Sequence, residues 1–274
     1  MTRVSICFII LSIYMLISSC NIKPAATPET AVATDSTNIQ ESSNEETIIY
    51  DMNSYPVDSL LTATLLITGS HHDGEVPENK LKEKWIGLFK KGNTYYTSYT
   101  KVKTQRVHDD IIDEENEITG WLVEGETKDT AIFLLTGIEL HPQTDVNPVS
   151  LSNNRIYPGD SLKIDYKNTT YTLFATGRIK GDKSDWPDIW NYKLYLSAKN
   201  DGITVTDLIS AQASFDDSMV TILFAGDIDG DGMLDLLVDT SYHYNVFAPT
   251  LYLSKQAGNN HIIKVVARHV SVGC

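Results

Sequence analysis

The run Gly226-Asp227-Ile228-Asp229-Gly230-Asp231-Gly232-Met233-Leu234-Asp235 gathers carboxylates into one short stretch, and the chemistry it suits is cation binding. With Asp227 as position 1, carboxylates recur at positions 1, 3, 5 and 9, namely Asp227, Asp229, Asp231 and Asp235. Position 6 is Gly232, which permits a sharp bend, and position 7 is Met233, which can offer its carbonyl. Hard oxygen donors without His or Cys among them suit Ca2+ rather than zinc. Carboxylates held this closely repel one another unless a cation sits between them. We expect a structural ion that pins two strands together. A catalytic ion would need an open coordination position and a nearby acid or base, and the following Tyr242-His243-Tyr244-Asn245 is the stretch that can supply such groups.

The flanks decide what kind of loop this is. An EF-hand requires a helix on each side and a bidentate carboxylate at position 12. Here position 12 is Val238, and both 220–225 and 234–238 read as strands. The segment Phe224-Ala225-Gly226-Asp227-Ile228-Asp229-Gly230-Asp231-Gly232-Met233-Leu234-Asp235-Leu236 instead resembles the calcium loop of FG-GAP repeats, found in integrin-type β-propellers. That resemblance implies ligation by the side chains of Asp227, Asp229, Asp231 and Asp235 and by the carbonyl of Met233. It covers the loop and not the fold, since propellers of that family carry several such repeats and this chain has one.

Other candidates are less specific. His71-His72-Asp73 can ligate a transition metal, but no second His pair at ligand spacing accompanies it, so a solvated turn is expected. His108-Asp109-Asp110 and Asp113-Glu114-Glu115 read as a solvated acidic loop. Trp186-Pro187-Asp188-Ile189-Trp190-Asn191-Tyr192 crowds aromatics near a turn; exposed, they would stack on sugars or anchor a partner, but burial is the expectation. Neither a Gly-x-Ser-x-Gly elbow, a phosphate loop nor a dinucleotide fingerprint occurs.

The elements that must position these residues read as β structure. Stretches 85–89 and 95–107 are rich in aromatic, Thr and Val residues, with Lys90-Lys91-Gly92-Asn93 as a turn between them. Residues 161–166 alternate polar and apolar with period two and turn at Lys167-Asn168-Thr169 into 171–175. Further strands are expected at 131–135, 192–196, 203–206, 220–225, 234–238, 250–253 and 262–267. Only 78–84 and 205–212 suggest short helices. Leu194-Tyr195-Leu196-Ser197 recurs as Leu251-Tyr252-Leu253-Ser254, an echo of a strand-turn-strand unit. The fold class expected is all-β, a sandwich or partial propeller-like sheet with few short helices.

The first residues give an address. Arg3 precedes an apolar run, 6–17, which ends in Ser18-Ser19-Cys20. A cationic start, a short apolar core and small residues before a cut site describe a secretory signal, and the run is shorter than the ~20 residues that span a bilayer. Leu16-Ile17-Ser18-Ser19-Cys20 resembles the lipobox of bacterial lipoproteins, which implies cleavage before Cys20 and a diacylglycerol thioether on its sulfur. Residues 1–19 are then a signal peptide, 20–50 a flexible acidic tether of small polar residues, and 51–274 the β-rich globular domain. Cys7 falls in the leader and Cys20 is alkylated, so Cys274 remains as a lone terminal thiol and no internal disulfide forms.

The formal net charge is −14, which repels phosphate backbones and argues against a nucleic-acid partner. It argues equally against anionic headgroups, so the membrane link must be the lipid. These residues together describe a cell-envelope lipoprotein, anchored to the outer membrane, whose calcium-stabilised domain acts as a binding or scaffold module for an envelope protein or glycan. The alternative is a membrane-anchored hydrolase acting on polysaccharide or peptide.

Overall fold

Apolar and polar residues alternating with period two fold this chain into strands, because successive side chains of an extended backbone point to opposite faces. The computed structural model describes residues 54–200 and 202–273; the leader, Cys20, the stretch 20–50 and Cys274 lie outside the described residues. The first strands are β1 (Thr64–Leu66), β2 (Gly69–His71), β3 (Trp85–Lys91), β4 (Thr94–Thr100), β5 (Lys103–Val107), β6 (Gly120–Glu124) and β7 (Thr130–Thr136). Then come β8 (Ser161–Tyr166), β9 (Thr169–Lys180), β10 (Asp188–Asn200) and β11 (Ile203–Ser214). The last are β12 (Thr221–Gly226), β13 (Asp235–Asp239), β14 (Val246–Phe247), β15 (Pro249–Leu253), β16 (Lys264–Arg268) and β17 (Ser271–Val272). The protein is all-β. No α-helix occurs among the described residues, and none of their helices is long and apolar enough to cross a membrane.

Four antiparallel sheets stack face to face. Their strand orders are β2-β6-β5, β1-β7-β3-β4, β12-β13-β15-β16 and β11-β10-β9-β8, with β14 and β17 forming a small separate pair. The sheet β12-β13-β15-β16 is an inner layer, and its strands show this residue by residue. Leu236, Val238, Tyr252 and Val265 pack toward β8–β11 with Tyr171, Leu194 and Leu196. Their neighbours Leu237, Leu251, Leu253 and Val266 pack the other way, against Leu65, Ile86, Leu88 and Phe133. A third core, with Trp85, Leu134, Trp121 and Val123, joins β1-β7-β3-β4 to β2-β6-β5. A strand covered on both faces needs apolar residues on both, which is why 236–238 is a continuous apolar run rather than an alternating one.

Two expectations are corrected. Residues 205–212, expected as a short helix, lie within β11, which pairs with β10 from Trp190↔Ser214 to Asn200↔Ile203. Leu, Ala and Gln tolerate a helix, but the pairing supplies backbone partners along the whole segment, and tertiary context overrides a weak propensity. Stretch 78–84, expected to make a turn or two, forms a 3-10 turn at Glu78–Lys80. The run 95–107 divides into β4 and β5, which belong to different sheets. Both copies of the Leu-Tyr-Leu-Ser echo sit in inner strands, β10 and β15, each followed by its antiparallel neighbour. Their burial differs: Tyr252 is fully buried and donates to the Ile209 carbonyl at 2.6 Å, whereas Tyr195 is partly exposed and stacks on Phe174.

Candidate metal centre

The acidic stretch becomes the connection 227–234 between β12 and β13, closed where Gly226 pairs with Asp235. Gly230 and Gly232 take φ of +79° and +91°, a region side-chain-bearing residues avoid, so the loop can coil tightly there. Aspartates readily accept from amides two or three residues on. Asp227 Oδ1 accepts the Gly230 amide at 2.8 Å and its Oδ2 the Gly232 amide at 2.9 Å. Asp231 Oδ1 accepts the Met233 amide at 2.7 Å.

These turns bring Asp227, Asp229 and Asp235 together, with one carboxylate oxygen from each lying within 4.8 Å of the others. Among the described residues this is the only such group of three. Asp235 is fully buried. Its Oδ2 accepts the amides of Ile228 at 2.6 Å and Asp229 at 3.0 Å, and its Oδ1 accepts the Ser254 amide at 2.7 Å and hydroxyl at 2.8 Å. Burial, then repulsion from Asp229, raises the Asp235 carboxyl well above its ordinary range. Burial, reinforced by Asp231 and Asp227, pushes Asp229 up to about 6. Asp231 stands outside the triplet: it is exposed and accepts the Ser254 hydroxyl at 3.0 and 3.1 Å. Met233 has an exposed side chain, and its amide is held by Asp231.

Sequence reasoning missed the groups that hold the loop from outside. The Lys255 amide reaches Asp229 Oδ2 at 3.1 Å, and Gln143 Nε2 donates to the Ile228 carbonyl at 2.7 Å. Lys167 Nζ pairs with Asp227 Oδ2 at 2.9 Å, and that hydrogen bond raises the lysine pKa. Lys167 comes from the β8–β9 turn, Ser254 from the end of β15, and Gln143 from a segment bridged to β4 at Thr97. The loop is therefore a junction between layers, not merely a hairpin tip. Only Ser254 left a trace in the sequence, as the last residue of the repeated tetrapeptide.

The donor set fits a hard divalent cation. Two buried carboxyls are raised by burial and by neighbouring carboxylates, every converging atom is oxygen, and a single ammonium at the rim leaves negative charge uncompensated.

The remaining candidates lie elsewhere. The expected solvated turn at His71-His72-Asp73 is instead largely packed. His71 is buried, with Nε2 2.8 Å from the Ile67 carbonyl and its ring edge-on to His269 at 5.0 Å. Burial and the neighbouring His71 lower His269 to about 4. His72 Nδ1 lies 2.5 Å from Asp109 Oδ2, so Asp109 is buried rather than solvated, and Asp113 holds its own loop through the Asp109 and Thr119 amides. Of the crowded aromatics Tyr192 is buried as expected, but Trp186 is exposed. His243 pairs with Asp216 at 3.0 Å, and the groove beside Tyr244 is lined by none of residues 227–235.

Compared with protein-family models, curated proteins and solved structures, the chain matches nothing.

Proposed function

We propose that this protein is a cell-envelope lipoprotein, held to the membrane by lipid on Cys20, whose layered β domain binds Ca2+ structurally and works by binding rather than catalysis. The observation that carries the reading is the convergence of Asp227, Asp229 and Asp235 at the junction of three segments distant in sequence. Asp227, Asp229 and Asp235 would hold the ion through carboxylate oxygens, as the resemblance of this loop to FG-GAP repeats implies. The resemblance also assigns Asp231 and the Met233 carbonyl, but here the Asp231 carboxylate is turned to Ser254, so the three converging carboxylates carry most of the affinity. When bound, the ion neutralises the buried carboxylates. Around it Ser254, Gln143 and the Lys255 amide tie the loop to neighbouring segments, a positioning role. The hydrolase alternative has one observation to consider, the exposed His261 held by buried Asp207 at 2.7 Å beside a cleft of about 620 Å³. Among the described residues no Ser, Thr or Cys lines that cleft, so it does not present the hydroxyl- or thiol-type nucleophile of an acyl-transfer site.

Calcium titration of the folded domain by calorimetry tests the metal reading directly, and a folded domain that takes up no calcium defeats it. The pH dependence is a second check. The Asp229 carboxyl sits at about 6 when folded against 3.8 for the free side chain, so the folded state is the better proton binder between those values. The calcium-free domain therefore loses stability as pH rises through that window. The ion must displace this proton, so apparent affinity is expected to fall roughly tenfold from pH 7 to pH 5. Equal affinities at both values would count against the site.

Anchoring is tested separately. With Cys20 changed to Ala, the protein is expected to leave the membrane fraction or to retain its leader. Normal processing and full membrane retention of Cys20→Ala would remove the lipid from the account.

A further inference from the structure

The β9–β10 hairpin ends in a tip that carries Trp186, and the tip faces a groove of about 550 Å³ bordered on another side by Tyr244 and Phe247. All three aromatics are exposed, Tyr244 by 64% and Trp186 by 48%. Each main arm is also braced. The Arg155 guanidinium lies 4.4 Å from the Trp186 ring centre, and Arg155 is itself tied to the Thr221 hydroxyl at 3.3 Å. The Tyr244 ring lies tilted against His243 at 4.4 Å, and Asp216 holds that histidine at 3.0 Å. Trp186 takes φ of +41°, rare for a bulky residue, and it does so directly before Pro187, which disfavours helical backbone in the residue ahead of it. Strained backbone of this kind persists where the surroundings enforce it and clusters at ligand sites. Here it keeps an indole at the groove instead of in a core.

The lining between the arms is polar. Asp217 is exposed, Ser218 and Ser241 share a hydrogen bond at 3.2 Å, and Asp239 holds the Ser241 amide at 3.1 Å. Exposed aromatic rings bordering the same groove as hydroxyls and carboxylates match one ligand chemistry: the C–H face and hydroxyl rim of a pyranose ring. Charge selects further within that class. Two carboxylates line the groove, and its guanidinium is already stacked and hydrogen-bonded, so phosphate, sulfate and uronate are disfavoured.

We propose that this groove binds a neutral glycan, with Trp186 and Tyr244 stacking on sugar faces and Asp217 and Asp239 accepting sugar hydroxyls. The proposal rests on the reading of the protein as a binding module, not on the calcium site. The two fail separately, since the groove is assayed by glycan retention and the loop by calcium uptake.

The test is affinity electrophoresis of the folded domain through gels containing neutral polysaccharides (β-glucan, xylan, mannan and starch), with polygalacturonate as an anionic control. Retardation by at least one neutral polymer is expected. Trp186→Ala and Tyr244→Ala should each weaken it about tenfold or more, as truncating an aromatic anchor does. Both side chains are exposed, so melting temperatures should not change and lost binding will not reflect lost fold. Retardation by no neutral polymer, retardation by polygalacturonate alone, or neutral binding untouched by both substitutions would each overturn the proposal.

Discussion

Replacing Asp235 by leucine is expected to remove a large part of the domain's stability. The side chain is fully buried and satisfies three backbone amides and one hydroxyl drawn from both sides of the loop. Leucine fills similar space but accepts nothing, and each buried donor left unsatisfied costs ~1–3 kcal/mol. Part of this is offset, because the substitution also removes a buried carboxyl that repels Asp229. The net loss should be about 3–5 kcal/mol, against the ~5–15 kcal/mol by which a whole domain is stable. Asp235→Asn keeps one accepting oxygen but turns an amino group toward the other donors, so it should fall between wild type and leucine. Urea unfolding in the presence of a chelator gives the comparison. A loss under about 1 kcal/mol for Asp235→Leu would show that the loop amides find other partners.

Calcium itself should act next most strongly. If the ion binds the folded state alone, a concentration of ~100 times Kd adds about 2.7 kcal/mol. In a domain of this size each kcal/mol moves Tm by roughly 2–4 °C, so melting should rise by about 5–10 °C and fall back with chelator. Asp229→Ala is expected to abolish the rise, since that carboxylate is buried within the triplet. Asp231→Ala is expected to keep most of it, because the Asp231 carboxylate is turned to Ser254. Magnesium should substitute poorly, as it demands a tighter octahedron than this loop offers. A rise of equal size in wild type and Asp229→Ala would place the effect of calcium elsewhere on the protein.

The contrast between Asp229 and Asp231 marks how far local spacing carries. Spacing alone treats the four aspartates as one ladder. In the fold Asp231 is exposed and Asp235 is the most buried member, enclosed by the amides of Ile228, Asp229 and Ser254, the last of which approaches from the end of β15.

By itself the sequence determined what local rules govern. Period-two alternation and turn residues set most strands: β8 runs over Ser161–Tyr166 as the alternation predicts, and Gly92-Asn93 turns β3 into β4. The acidic loop was legible for the same reason, since its carboxylates lie within nine residues and its bends need only glycine. Three-residue strands such as β1 and β2 carry too little pattern to show, and the helix expected at 205–212 yielded to pairing with β10, a partner that local propensity does not weigh. The rest is non-local. The sheets stack in layers, His269 reaches His71 across most of the chain, Gln143 and Lys167 close on the loop, and Trp186 meets Tyr244 at one groove. Each of these joins residues tens to hundreds of positions apart, and only the burial of both faces of the inner sheets fixes which of them meet.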